Sequence, residues 1–200
     1  MLTKLKQRAQ FWMTAEAKLA HSIGLTPNQV SAVGIAFAVL SALAYWKWQF
    51  HSLLPILAPL FLLASGFCDA LDGVLARLYG EATTFGGFLD SLLDRYADAI
   101  IFCGIILGGL CDLSWGLVAL IGSLLVSYAR ARAEAAGVKM ETVGIAERAE
   151  RIVILAIGSF LSIAWPEALS WGVAILAVLT NLTVLQRVIY FWKASQRKEE

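Results

Sequence analysis

The sequence predicts an all-α integral membrane protein: six transmembrane helices preceded by an amphipathic helix at the membrane interface. Three observations carry this. Of the 200 residues 59% are hydrophobic and only 16% charged, and the mean hydropathy of +0.71 exceeds what a water-soluble domain carries. Apolar stretches long enough to cross a hydrocarbon layer of about 30 Å recur along the chain. Of the 16 Lys and Arg only Lys47 falls in a connection that must face outside if the N-terminus is inside, the rest lying in the N-terminal segment, the acidic hairpin, the 130–151 region and toward the C-terminus, so the positive-inside rule places both termini and the acidic hairpin at the cytoplasm of a multi-pass cell-membrane protein. The net charge of +1 hides this asymmetry and offers no surface for nucleic acid.

Residues 3–22 are expected to lie in the interface. Leu5, Ala9, Trp12, Ala15 and Leu19 recur at spacings of three and four among Lys4, Lys6, Arg8 and Lys18, the pattern of a basic amphipathic helix. No cleavable signal pattern precedes it. Gly24 then breaks the helix. Thr26 is the expected N-cap and Pro27 the first helical residue of a span running from about Val30 to Phe50. Asn28 and Ser31 would sit at its cytoplasmic mouth, where capping and ligand binding explain them equally well.

The second and third spans, Leu53 to Leu78 and Phe88 to Leu110, carry the costliest residues in the chain. At about 100° per residue, Asp69, Asp72, Gly73 and Ala76 share a helix face, and Asp90 and Asp94 stack on a face of the next helix. Glycines bound the turn between them, so the two faces can meet. One charged Asp deep in a bilayer costs about 2.5–3.5 kcal/mol, and four would cost on the order of 10 kcal/mol, comparable with a whole domain's stability. Arg77 and Arg95 offset only part of this. Oxygen donors without His or Cys suit Mg²⁺, Mn²⁺ or Ca²⁺, and the residues read as a two-metal site for oxyanions. Gly73 and Ala76 leave a hollow suited to a flat base and ribose, or to close helix packing. Asp98 is expected to be a salt-bridge or hydrogen-bond partner deeper in the bundle, with Arg95 able to serve it.

The pattern D-x2-D-G-x2-A-R-x8-G-x3-D-x3-D, met by Asp69, Asp72, Gly73, Ala76, Arg77, Gly86, Asp90 and Asp94, resembles the signature of the CDP-alcohol phosphatidyltransferases. The resemblance implies that these four Asp hold Mg²⁺ or Mn²⁺, as two ions. It implies a CDP-lipid (CDP-archaeol or CDP-diacylglycerol) bound through Asp69, Asp72, Gly73, Ala76, Arg77 and Asn28, with its cytidine in the hollow at Gly73 and Ala76 and Arg77 on the diphosphate. Asp94 would take the proton from the attacking hydroxyl, and the enzyme would be a homodimer.

Three further spans are predicted, Trp115 to Ala129, Ile152 to Trp165 and Ser170 to Trp192. The fifth is the shortest in purely apolar residues and could extend backwards through Glu147 to Arg151. Around the junction of the fourth and fifth, Ser127-Tyr128-Ala129-Arg130-Ala131-Arg132 and Gly144 to Arg151 gather cations on the membrane side of the acidic hairpin. A charge run is usually a solvated face, yet Ser127, Arg130 and Arg151 could surround a phosphate, with Arg132 completing the cradle or pairing with Glu134, Glu147 or Glu150. The stretch resembles the phosphatidylinositol phosphate synthases and archaetidylinositol phosphate synthases within the same family. That resemblance implies inositol 1-phosphate as acceptor, bound through Ser127, Arg130, Arg132 and Arg151. A glycerol-phosphate acceptor would need a similar cradle, and a divalent-cation transporter could also place carboxylates in a membrane. Arg187, late in the last span, is expected to snorkel to the headgroups, and Cys68, Cys103 and Cys111 to be plain packed thiols. Residues 1–200 read as one domain, with the bundle over 27–192 and no second domain for a fused nucleotidyltransferase.

Overall fold

The computed structural model describes residues 13–140 and 143–199, all helix and connecting loop. Helix α1 is described over 13–22, and the expected interfacial segment 3–12 lies outside the described residues. Then follow α2 (Pro27–Trp46), α3 (Leu54–Tyr79), α4 (Thr84–Leu107), α5 (Leu113–Ala135), α6 (Arg148–Leu161) and α7 (Ala168–Glu199). The expected spans each fall on one of the last six.

Local chemistry sets the helix ends. Thr26 caps α2 in a reciprocal box with Gln29, and Pro27 opens the helix as expected. Gly80, at φ 68°, closes α3 in the left-handed conformation. Thr83 restarts the chain by accepting a bond from Gly86 N at 2.9 Å. Only four residues therefore separate the two acid-bearing helices.

α2, α3, α5 and α7 are long and apolar enough to cross a membrane. α4 is 24 residues long, but it carries Asp90, Asp94, Arg95 and Asp98. α6, with 14 residues, reaches about 21 Å at 1.5 Å per residue, less than a hydrocarbon core of about 30 Å. Its start at Arg148 confirms the backwards extension the sequence suggested. The perimeter is apolar: Leu43, Trp46, Ile121, Ile157, Ile175 and Leu185 are exposed, the reverse of a water-soluble surface and the pattern of a multi-pass membrane protein.

The principal helix contacts close into a ring, α2 on α3, α3 on α6, α6 on α7, α7 on α5, α5 on α4 and α4 back on α2. Small residues set the spacing. A Cβ on Gly104 of α4 would lie 2.7 Å from Ala42 Cα, and one on Gly108 would meet the Tyr45 carbonyl, so glycine lets α4 rest directly on the α2 backbone. At the centre Tyr45 and Ser159 share a 2.7 Å hydrogen bond, tying α2 to α6. α1 docks through Met13 and Ala17 against Val30, Cys68, Leu71 and Leu75. Ala15 and Leu19 of the expected apolar stripe stay exposed. Cys68 is buried and Cys103 faces outward.

Candidate active site

The α3–α4 hairpin does bring its acids together. Ligand oxygens of Asp69, Asp72 and Asp90 lie within 4.8 Å of one another. Asp72 is 4% exposed and is oriented by Ser31 of α2, whose hydroxyl donates to Oδ2 at 2.5 Å. Ser31 thus supports the site by a direct contact that capping alone did not foretell. Asp94 is not one of that trio but lines the same small cavity, beside Asp69. Between it and Asp69 lies Arg148, at the start of α6, with Nη1 against one oxygen of each carboxylate as an ion pair lacking the alignment of a hydrogen bond. Arg95 Nη1, which the sequence left able to serve Asp98, reaches Asp94 at 3.5 Å and donates to the Ser91 carbonyl instead.

On one side the acids open into a cleft of about 190 Å³ lined by Asn28, Ser31, Asp72, Gly73, Ala76, Arg77, Thr83, Gly86 and Asp90. Every residue expected to meet the nucleotide is here except Asp69, which lies in the acid centre behind. The Arg77 guanidinium lies over Gly73, where a Cβ would be 3.2 Å from Nη1. Gly73 therefore gives this cation its room, one turn above its own backbone.

On the other side Asp94 and Arg148 border a second cleft, of about 150 Å³, with Asp98, Ser127, Arg130, Glu147, Arg151 and Arg187. Arg151 is 3% exposed and donates to Asp98 Oδ2 at 2.5 Å, so Asp98 is the buried partner expected, with a different arginine. Arg130 donates to Glu134 at 2.9 Å one turn along α5. Arg132 leaves this group. Two residues past Arg130 it is about 200° around the helix, and it lines an outward groove with Tyr128, Met140 and Trp192.

Arg187 does not snorkel. It is 2% exposed and donates to Val143 O at 2.8 Å, Val126 O at 2.5 Å and Glu147 Oε1 at 3.2 Å. The cause is the loop before α6, which folds onto α7. Its Ile145 and Ala146 amides donate to Thr183 Oγ1 at 3.2 and 3.1 Å. Gly144 at φ 141° permits the approach, since a Cβ there would sit 2.6 Å from Thr183 Cγ2. Sequence reasoning undervalued Arg187 and passed over Arg148. For Arg148 a signal existed, because it precedes Arg151 by three residues and must share its helix face.

Three converging carboxylates with no other donor type among them fit a hard divalent cation. Acids that hold such cations, set between a cleft with one free guanidinium and a cleft where several acid-paired guanidinium groups gather, suit an enzyme that moves a phosphate-linked group between two anionic partners at a membrane. The chain belongs to the CDP-alcohol phosphatidyltransferase family, whose profile matches residues 24–185, and it is a metal-dependent transferase of phospholipid synthesis.

It is 41% identical over 199 residues to the archaetidylinositol phosphate synthase of Pyrococcus horikoshii, covering 100% of this chain and 99% of that one. To the enzyme of that name from Methanothermobacter thermautotrophicus it is 42% identical, over 88% of this chain and 87% of the relative. Among solved structures it resembles the Mycobacterium tuberculosis phosphatidylinositol phosphate synthase with CDP-DAG bound, at a TM-score of 0.74 and 32% identity, covering 90% and 93% of the two chains. The structure of that enzyme with manganese and citrate matches at a TM-score of 0.77, covering 90% and 88%.

Proposed function

We propose that this protein transfers the phosphatidyl-type group of a CDP-lipid, CDP-archaeol or CDP-diacylglycerol, to the hydroxyl of inositol 1-phosphate and releases CMP. The observation that carries the acceptor is the second cleft. Ser127, Arg130, Arg151 and Arg187 line it, and Asp94 stands on its border with the acid centre. A free alcohol would need no such concentration of guanidinium groups, whereas a phosphate monoester matches them.

In this reading Asp69, Asp72, Asp90 and Asp94 hold Mg²⁺ or Mn²⁺, two ions, which supply Lewis-acid neutralisation of the diphosphate and of the departing CMP oxygen. Arg77 grips the diphosphate, and the cytidine lies along Gly73 and Ala76 beside Asn28. The lipid tails remain in the bilayer. Ser127, Arg130, Arg151 and Arg187 hold the acceptor's phosphate so that its free hydroxyl meets the lipid-linked phosphorus. That oxygen forms the new bond to phosphorus as the bond to the CMP oxygen breaks, and Asp94 takes the hydroxyl proton. The names of the aligned relatives support the inositol phosphate acceptor, and the CDP-DAG in the mycobacterial structure supports the donor.

All six helices α2–α7 would sit in the membrane, with α6 reaching its full depth only together with the loops at its ends. Both termini and the site would face the cytoplasm, and two chains would pair. The charge distribution supports the orientation, since Lys47 alone falls in a connection on the far side. The test is CMP release by purified protein with Mg²⁺, CDP-lipid and inositol 1-phosphate. Wild type should turn over and Asp94→Asn should lose activity. Equal rates in the two would remove Asp94 from proton transfer. No CMP from folded, metal-loaded protein with either lipid type would favour a cation transporter.

A further inference from the structure

Arg148 opens α6 and places its guanidinium in the gap between the acid hairpin and the basic cleft, lining both. Its side chain is 17% exposed, and Nη1 meets Asp69 and Asp94 at once. Nε lies 3.7 Å from a third carboxylate, Asp98, on the cleft side. In this arrangement one half-buried cation holds together two acids that would otherwise repel each other. It also occupies an oxygen of each that a divalent cation would need.

We infer that Arg148 is an internal counter-cation with two stations. Without metal it ties Asp69 to Asp94. As divalent cations load on the acids, Arg148 releases both, because a guanidinium and a metal ion compete for the same oxygens and repel each other. Asp98 retains it on the floor of the basic cleft, where the guanidinium joins the groups facing the acceptor's phosphate. Asp94 thereby becomes free to act as ligand and base only in the metal-loaded protein.

This has two consequences. Competition from Arg148 holds down the affinity of the cation that depends on Asp69 and Asp94. An anion in the basic cleft draws Arg148 the same way that metal pushes it, so anion and metal binding strengthen each other by one factor. The second consequence rests on the proposed role of the cleft, and the first does not.

The experiment is a Mn²⁺ titration of the purified protein, reading free Mn²⁺ by its paramagnetic resonance signal, without CDP-lipid and with or without inorganic phosphate. Arg148→Gln should bind its weaker Mn²⁺ about 5-fold or more tightly than wild type, the lower end of typical coupling between linked sites. A damaged fold would not produce such a gain. Phosphate should tighten Mn²⁺ binding in wild type but not in Arg148→Gln. Unchanged or weaker Mn²⁺ affinity in folded Arg148→Gln overturns the inference. Should that variant fail to fold, Arg148→Lys decides. It keeps the charge but not the fork, so phosphate should tighten Mn²⁺ less than in wild type, and equal coupling in the two overturns the two stations. Turnover with a different acceptor would revise the cleft's ligand while leaving the phosphate-free result standing.

Discussion

Truncating Ser127 to Ala isolates the acceptor cleft with little collateral damage. Ser127 is half-buried on α5, one turn before Arg130 and facing the same cleft. Its hydroxyl makes no hydrogen bond to any described residue, so its removal leaves no internal partner unsatisfied, and thermal stability should stay within about 0.5 kcal/mol. Against a phosphate, that hydroxyl is worth a hydrogen bond to a charged group, about 1.5–3 kcal/mol. At 1.36 kcal/mol per decade this raises the acceptor KM about 10- to 150-fold. The assay is initial CMP release at saturating CDP-lipid with inositol 1-phosphate varied, alongside an unfolding curve in detergent. The KM for CDP-lipid should not move, because Ser127 lies on the far side of the acids from Arg77. An acceptor KM within twofold of wild type would refute the placement of the phosphate.

Other perturbations separate the parts of the account. Arg132→Ala should leave the acceptor KM within about twofold, since that side chain faces the outward groove and surface changes away from a site are near neutral. Removing divalent metal with EDTA should abolish CMP release, and Mg²⁺ or Mn²⁺ should restore it. Activity surviving chelation would contradict the assignment of the acids. Gly104→Val forces a side chain against the Ala42 backbone, which cannot turn aside. It should cost at least the 1–3 kcal/mol typical of overpacking, read as a lower midpoint of unfolding.

Much of this site was legible in the sequence because local periodicity decides it. Asp69, Asp72, Gly73 and Ala76 had to share a face, and the glycines at the margins of the following turn let the chain bring Asp90 and Asp94 back to them. The boundary at Thr26 and Pro27 followed from capping chemistry, and the backwards extension of α6 from its short apolar run. Helical spacing could also have separated Arg130 from Arg132, about 200° apart, but the resemblance to related enzymes grouped them. Arg148 and Arg187 depend on contacts between elements far apart in the chain. Arg187 is buried only because the loop before α6 is pinned to Thr183, and nothing near residue 187 announces that. Likewise, the four acids read as one set until Arg148 is seen standing between Asp69 and Asp94.

The central claim is the pairing of a CDP-lipid donor with a phosphorylated acceptor. The most direct test is CMP release by the purified, Mg²⁺-loaded protein with inositol 1-phosphate, glycerol 3-phosphate, free inositol and serine compared in parallel. Turnover with inositol 1-phosphate well above the other three is the predicted result. Turnover with free inositol or serine at a rate equal to or above it would contradict the role given to Ser127, Arg130, Arg151 and Arg187, and preference for glycerol 3-phosphate would keep the cradle while overturning the acceptor.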